Sequence, residues 1–332
     1  MSKPSVQKLK RLLFAAMLVS GTACAQDVQF TQYLTSPLTL NPAMTGLASE
    51  DFRLAGNFRM QSSSAAADPY MTGTLSYDMA ILKSKLPKGD AFGIGVVALY
   101  DVAGTGDYKN TTAGLSVAYH KAIGAGQQHH VSAGFQAMLV KKEVELFHPI
   151  TFQPVNSTLS YTDYNLGIMY SGKISKRVSA YMGHSYYHLT QPVETYPGDN
   201  EHTIHARHTT NLGGSFDLNA RMVLYASALY QTQASATELL VGSSLGFALN
   251  KNPQKSPVLY LGGWYRYGDA ICPYLGMGWA KMRVGLSYDI FVSDFTPAIS
   301  HKGALELSLI YSGGIKKHVK NPLSTWTCPR MF

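Results

Sequence analysis

Charged side chains are scarce in this 332-residue chain. They make up 14% of it, against about 25% in a typical soluble domain. The formal net charge of +8 lies in the two ends: residues 1–25 and 315–332 each hold four Lys or Arg and no acid, whereas residues 26–314 hold 20 basic and 20 acidic side chains. Because nucleic-acid binding needs clustered cations that release counterions, the sequence predicts no nucleic-acid partner.

Long apolar runs are also absent. Residues 26–332 contain no stretch of the ~20 apolar residues that a helix needs to cross a bilayer, and the mean hydropathy is only −0.05. The chain is nevertheless rich in small and aromatic residues, with 30 Gly and 21 Tyr. Such a composition indicates apolar and small polar residues that alternate along the chain, which is how a transmembrane β-barrel escapes hydropathy plots.

Cysteine is rare, and its placement bears on export. The three cysteines are Cys24, Cys272 and Cys328, too few for a disulfide framework. Cys24 ends a basic and then apolar N-terminal stretch, and this order predicts a signal peptide over residues 1–25, cleaved between Ala25 and Gln26. Cys24 also permits a lipoprotein acylated at its thiol, although Gly21 stands where such motifs usually have Leu. We expect an exported protein with Cys272 and Cys328 as free thiols.

Apolar and polar residues alternate strictly in several segments, whereas helical periodicity is nearly absent. Residues 281–290 divide into one set comprising Met282, Val284, Leu286, Tyr288 and Ile290, and a second set comprising Lys281, Arg283, Gly285, Ser287 and Asp289. In a strand these sets point to opposite sides, so in a barrel the first would face lipid and the second the lumen. Residues 52–60, 112–120, 164–170 and 305–311 show similar alternation.

Turn residues divide the alternating region, residues 51–314, into 14 predicted strands, which favours an all-β, antiparallel transmembrane barrel in the outer membrane. With both ends in the periplasm, the longest gaps, 142–160 and 189–205, fall on the extracellular side and the tight connections near 173–176, 218–221 and 280–281 on the periplasmic side. Residues 26–50 contain ladder-breaking prolines and are predicted to be a tether, a plug or a docking element. Residues 315–332 are predicted to be a basic periplasmic tail.

Several polar residues fall at positions that would face the lumen. They are Arg53, Arg59, Arg266, Arg283, Asp289 and Glu306. Cross-strand ion pairs that fill and brace the interior would explain them, and so would the lining of an open pore. Fourteen strands lie between the small barrels that side chains fill and the porins that conduct, so the strand number leaves both alternatives open.

Catalytic and metal-binding patterns occur, but their context is wrong. Gly242–Gly246 matches GxSxG and Gly93–Ala98 matches a dinucleotide fingerprint, yet both lie in predicted strands with no following helix. His202, His205 and His208, beside Glu201, suit a metal site only on a helix, and on a strand the last two histidines point to opposite faces. The sequence therefore predicts no catalytic, cofactor or metal residues.

The mature start and several later motifs resemble one protein family. The matching residues are Asp27, Gln29, Phe30, Gln32, Tyr33, Pro37, Asn41, Pro42 and Gly46, then His205 to His208, Gly213, Leu261, Gly262, Tyr265 and Arg266, then Val284 to Asp289, Glu306, Cys328, Pro329 and Arg330. This pattern resembles the PorP/SprF family of outer-membrane proteins, which is associated with type IX secretion and gliding in Bacteroidetes. The chain departs from it at Met331, before the terminal Phe332, and at Thr209 and Thr210, where the family often has aromatics.

The resemblance implies a barrel that works by binding proteins. It implies partners among the periplasmic ring and motor components of the secretion machinery and among exported cargo or gliding adhesins. On that basis residues 26–50 and 315–332 would meet machinery proteins, while loops 142–160 and 189–205 would meet cargo. Arg207 and the other motif residues are candidates for partner docking. The rival classes are an outer-membrane diffusion porin and, more remotely, an outer-membrane enzyme using Ser244 or His205.

Overall fold

A computed structural model describes most of the chain between Asp27 and Gly314. The described residues are 27, 29–48, 50–61, 69–103, 108–124, 126–147, 154–195, 202–250, 256–279, 281–292 and 303–314. The predicted cleavage site at Ala25 and Gln26, the lipoprotein alternative at Cys24, and Cys328, Pro329 and Arg330 all lie outside these residues. Among the described residues, no helix is both long and apolar enough to cross a membrane.

Fourteen antiparallel strands close into a barrel, which confirms the predicted fold class and strand number. Among the described residues, two further short strands lie outside the barrel sheet. In chain order all the described strands are β1 (Phe52–Gln61), β2 (Tyr70–Ile81), β3 (Ala91–Ala103), β4 (Tyr108–Ile123), β5 (His129–Phe147), β6 (Pro154–Lys173), β7 (Val178–Tyr187), β8 (Val193–Glu194), β9 (His202–Thr203), β10 (Arg207–Asn219), β11 (Met222–Gln233), β12 (Ala236–Ala248), β13 (Val258–Arg266), β14 (Ala270–Trp279), β15 (Met282–Phe291) and β16 (Ala304–Gly313). β1 pairs with both β2 and β16, which closes the ring. The short strands β8 and β9 form a separate hairpin.

The two faces of the wall differ as the alternation predicts. On β15, Leu286, Tyr288 and Ile290 are exposed, whereas Ser287 and Asp289 are buried. On β4 the exposed fraction is 67% for Leu115 and 1% for its neighbour Ser116. An apolar outer face with a polar inner face is the arrangement of a barrel surrounded by lipid, because acyl chains accept no hydrogen bonds.

The barrel has two rims that we name by the course of the chain. At the proximal rim the chain enters β1 and leaves β16, where Phe52 pairs with Gly313. At the distal rim Gln61 pairs with Ala304. The predicted tight connections all lie at the proximal rim, between β6 and β7, β10 and β11, and β14 and β15. The separation of loop lengths is incomplete, since residues 82–90 form a longer proximal connection and residues 234–235 a tight distal one.

The predicted loop over residues 142–160 is largely wrong. β5 continues to Phe147 and β6 begins at Pro154, and the two pair with each other along this whole length. The charges at 141–145 suggested a turn, but Lys142 is buried and forms an ion pair with Glu194 of the β8–β9 hairpin. A cation that faces the lumen and has a partner is compatible with a strand. Using the charged residues as a turn signal therefore ended the predicted strand β5 too early. The long connection at 189–205 contains that hairpin.

Candidate functional site

The N-terminal segment, residues 27–48, lies inside the barrel. Two 3-10 turns, Tyr33–Thr35 and Pro42–Met44, flank one α-helical turn at Pro37–Leu40. Prolines stand at the first positions of the second and third turns, where their missing N–H groups are tolerated. The Asn41 side chain caps the last turn by accepting from Ala43 N at 2.9 Å. These local signals keep the segment compact, so that it fits within the lumen instead of adding to the sheet.

The segment begins at the distal rim, where Asp27 is held by two cations. Its Oδ2 lies 3.0 Å from Arg207 Nη1 and 2.7 Å from His188 Nε2, and His188 Nδ1 lies 2.9 Å from Asp163 Oδ2. Burial lowers the pKa of His188, but the Asp27 and Asp163 carboxylates outweigh it and raise that pKa to about 9. Burial raises the pKa of Asp27, but the charges of Arg207 and His188 outweigh it and hold that pKa well below its usual range. We call Asp27, His188, Arg207 and Asp163 the distal latch.

A second group of charges, which we call the Glu306 clamp, holds the segment near the distal end of the lumen. The two carboxylate oxygens of Glu306 accept from the backbone N–H groups of Thr31 and Gln32, each at 2.8 Å. The Thr31 hydroxyl donates to Asp289 at 2.7 Å. Arg59 pairs with Asp289 at 2.8 Å and Glu306 at 3.4 Å, and Arg266 pairs with Asp289 at 3.1 Å and Glu238 at 2.9 Å. The lumen charges on β1, β12, β13, β15 and β16 therefore share one network with the segment.

Glycines on the inner wall let the segment backbone approach closely. A Cβ atom on Gly134 would lie 2.3 Å from Pro42 C, and one on Gly167 would lie 2.0 Å from Asn41 Oδ1. Asn41 Nδ2 also donates to the carbonyls of Ile168 and His184, at 3.1 and 3.3 Å. Larger side chains at these two glycines would displace the segment, so β5 and β6 are shaped to receive it.

The segment leaves the lumen at the proximal rim through a third set of contacts. Arg53 and Asp78, both fully buried, form a two-pronged pair with contacts of 3.0 and 2.9 Å. Arg53 Nη2 donates to Met44 O at 3.0 Å, and Gly46 N donates to Asp78 Oδ2 at 2.7 Å. Gly46 has φ +76°, a conformation that favours glycine. Breaking a buried ion pair by removing one partner costs about 3–5 kcal/mol, so wall and segment stabilise each other.

An aromatic cluster packs against the middle of the segment. Tyr33 and Leu34 lie against Tyr225, Tyr260 and Trp264 of the inner wall. Here the Arg283 guanidinium stacks 4.4 Å from the Tyr260 ring centre and donates to its hydroxyl at 2.9 Å. A cavity of about 50 Å³ remains beside Thr31–Thr35 and is also lined by Ser244. Such a space admits a water-sized molecule.

The sequence-selected residues do not form one surface. Phe30, Gln32, Tyr33, Pro37, Asn41 and Pro42 are buried in the lumen, and Gln29 is half-buried. Arg207 faces inward, where it also donates to Thr39 O at 3.3 Å, whereas His208 lies on the outer wall against Tyr186, with 4.6 Å between ring centres. His205 precedes β10 and its carbonyl accepts from Gln233. The motif formed by His205 to His208 therefore has Arg207 on the inner side of the wall and His208 on the outer side.

Several residues of the site were missed in the sequence. They are Asp78, Asp163, His188, Glu238 and the glycines Gly134 and Gly167. Asp78 was detectable, since it is an inward-facing acid in a predicted strand and pairs in register with Arg53. His188 carried no such signal, because it follows the end of β7 and its partner Asp27 lies 161 positions away in the sequence.

The two motifs that matched catalytic patterns both lie within strands. Gly242–Gly246 lies within β12 and Gly93–Ala98 within β3. Within the described ranges, no three His, Cys, Asp or Glu side chains are grouped as a metal site would require. Cys272 is buried and free. The chemistry that this interior offers is ion pairing and hydrogen bonding to a peptide backbone.

The fold and sequence have known relatives. The chain is similar to a FadL homologue from Pseudomonas aeruginosa, with 12% identity, a TM-score of 0.50 and coverage of 82% of this chain and 92% of that one. It is also similar to the translocator domain of the autotransporter NalP from Neisseria meningitidis, with 11% identity, a TM-score of 0.47 and coverage of 85% and 96%. The first likeness shows the fold alone, and no curated protein sequence matches the chain. Residues 23–311 match the family described as type IX secretion system membrane protein PorP/SprF. Because that match spans most of the sequence and the fold is a closed membrane barrel, the chain belongs to the PorP/SprF family of type IX secretion system membrane proteins.

Proposed function

We propose that this protein is a non-enzymatic component of the type IX secretion machinery in the outer membrane, and that it works by binding other proteins. The observation that carries the proposal is the occupied lumen: the distal latch, the Glu306 clamp and the Arg53–Asp78 pair fix the N-terminal segment along its length. A barrel filled by its own chain is suited to be a rigid frame that presents its rims and loops to partners. We infer the type IX secretion system as its setting from membership of the PorP/SprF family.

The proposed partners divide between the two rims. We place the proximal rim in the periplasm, so that residues 315–332, which carry Lys316, Lys317 and Lys320 and follow β16 at that rim, meet ring and motor proteins. The distal connections, including the β8–β9 hairpin, then meet exported cargo or an adhesin. Leu38, Ala43 and Met44 of the N-terminal segment are fully buried. We therefore assign this segment mainly to closing the lumen, and the docking to the tail and the distal loops.

Co-purification from native membranes tests the docking role. A variant truncated after Gly314 keeps every described strand and all the segment contacts made by described residues. We therefore expect it to insert normally but to lose machinery proteins from the purified complex, with reduced cargo export. A matched variant with Lys316, Lys317 and Lys320 changed to Gln separates the charge of the tail from its length. Unchanged co-purification and export by the truncated protein would contradict the proposal.

Planar-bilayer recordings separate the adaptor from a diffusion porin. We expect the intact protein to show no steady open channel, because the segment blocks the lumen, and we expect a variant lacking residues 26–47 to conduct if it inserts. A stable open conductance of the intact protein would favour the porin. For the enzyme alternative, we expect Ser244→Ala and His205→Ala to leave export unchanged, and a lipid-hydrolysing activity lost in either variant would overturn the non-enzymatic assignment.

A further inference from the structure

The proximal rim carries a collar of exposed cations. The proximal collar consists of Lys85, Lys88, Lys121, Lys176, Arg177, Arg221 and Lys281, all exposed. The described acids near this rim are Glu50, Asp51, Asp78, Asp90 and Asp217, of which Asp78 is fully buried and paired with Arg53. Asp90 is buried and binds Lys121 at 2.9 Å, and Asp51 lies 3.4 Å from Lys83. The described part of the proximal rim is therefore strongly basic.

The collar surrounds the barrel instead of forming one patch. Its members lie in the β2–β3 connection, at the end of β4, and in the β6–β7, β10–β11 and β14–β15 connections. In the closed strand order these places are spread around the whole circumference. A single small partner would contact only part of such a ring, whereas a surrounding lipid leaflet contacts all of it.

Exposed apolar side chains stand beside the cations of the collar. Ile123 follows Lys121, Ile174 precedes Lys176, Leu218 precedes Arg221, and Trp279 precedes Lys281, and these four are 39–55% exposed. The Arg221 guanidinium lies 5.7 Å from the ring centre of Phe247, a residue on the outward face of β12. Cations beside apolar and aromatic side chains are typical of the membrane–water interface, where the apolar part enters the bilayer and the charge meets the headgroups.

Several cations near the distal rim form ion pairs, whereas in the described part of the collar a salt bridge is formed by Lys121. Lys141 pairs with Glu143, Lys142 with Glu194, Arg207 with Asp27, and Arg266 with Glu238. These pairs balance charge within the protein. The contrast indicates that the proximal collar is a local feature and not a consequence of the overall charge, which is zero across residues 26–314.

We propose that the proximal collar binds anionic phospholipid headgroups of the leaflet at that rim. The phosphodiester oxygens accept hydrogen bonds from the Lys and Arg side chains, and the adjacent apolar side chains contact the upper acyl chains. The tight β6–β7, β10–β11 and β14–β15 connections keep their cations near the ends of the strands, where we expect the headgroups of a surrounding bilayer to lie. This placement favours lipid over an acidic protein partner.

Lipid retention in nanodiscs tests this proposal. The intact protein is placed in nanodiscs with equal parts of phosphatidylcholine and phosphatidylglycerol, and the lipids that remain bound after release into detergent are measured by native mass spectrometry. We expect enrichment of phosphatidylglycerol that falls at least several-fold in Lys176→Gln with Lys281→Gln, and further when Arg177→Gln and Arg221→Gln are added. The matched control is Lys109→Gln with Lys141→Gln, two exposed lysines near the distal rim, which should leave the enrichment unchanged.

Three results would overturn the proposal. They are equal retention of both lipids by the intact protein, an equal loss in the proximal and distal variants, and unchanged enrichment in the proximal variant accompanied by loss of an acidic protein from the native complex. The last would identify the collar as a protein-binding surface. Resistance of each variant barrel to unfolding at room temperature in SDS, read as its electrophoretic mobility, establishes that a loss of lipid is not a loss of fold.

Discussion

The contacts of Glu306 with the N-terminal segment allow us to predict how much they stabilise the folded barrel. Glu306→Gln keeps the shape of the side chain but removes its charge, and one oxygen facing the Thr31 and Gln32 N–H groups becomes a donor. Two charge-assisted hydrogen bonds of 2.8 Å are lost or weakened, and Arg59 loses one of its two carboxylate partners. Hydrogen bonds to charged groups contribute about 1.5–3 kcal/mol each, and breaking a buried ion pair costs about 3–5 kcal/mol. We therefore expect the free energy of unfolding to fall by about 3–5 kcal/mol.

Urea-induced unfolding in lipid vesicles, followed by tryptophan fluorescence, measures this change. The matched control is Glu143→Gln, the same substitution at an exposed carboxylate paired with Lys141, which should leave the unfolding curve unchanged. A cysteine placed at Thr35 reports the segment itself, and we expect it to react with a water-soluble maleimide faster in the Glu306 variant. Equal stability of the two Gln variants, with unchanged labelling, would refute the view that Glu306 holds the segment.

Three further predictions follow from the segment and its ends. Gly134→Val places a side chain against Pro42, so we expect displacement of the segment and new conductance in planar bilayers. The control is Gly73→Val, which should not conduct because a Cβ there meets nothing within 4 Å. Absence of conductance in both variants would contradict the steric argument. His188 has its pKa raised from 6.5 to about 9, so the stabilisation that its charge contributes is complete below pH 6.5 and is lost as pH rises through 9. The difference in unfolding free energy between the intact protein and His188→Gln should shrink over that window, and a constant difference would exclude the latch as a proton-linked contact. Finally, an epitope between Gln26 and Asp27 should bind antibody on intact cells while one after Gly314 should not, and the reverse would invert the proposed orientation.

The sequence was sufficient for the architecture because each strand of a membrane barrel meets two different solvents. Leu115 and Ser116 are neighbours in sequence, yet one faces lipid and the other the lumen, and a period of two residues records that difference locally. The number of strands and the inward orientation of Arg53, Arg59, Asp289 and Glu306 could therefore be predicted without knowing any contact. Strand ends were harder to predict, as the error at residues 142–160 shows. In the sequence, a charged residue that is paired inside the lumen, such as Lys142, looks the same as a charged residue in a turn.

The prolines and the Asn41–Pro42 pair indicated that residues 26–50 leave the sheet. A tether, a plug and a docking element all remained open, and only the family resemblance favoured docking. Only the tertiary structure brought Asp27 to His188 and Arg207, set Thr31 between Glu306 and Asp289, and placed Asn41 against Gly167. These contacts join residues more than 100 positions apart, so no local pattern encodes them. The alternation in the sequence by itself determined which side of the wall most strand residues face, because the two sides meet different solvents. The closure of the ring brings strands from both ends of the chain around one axis, and this decided what the inner side binds.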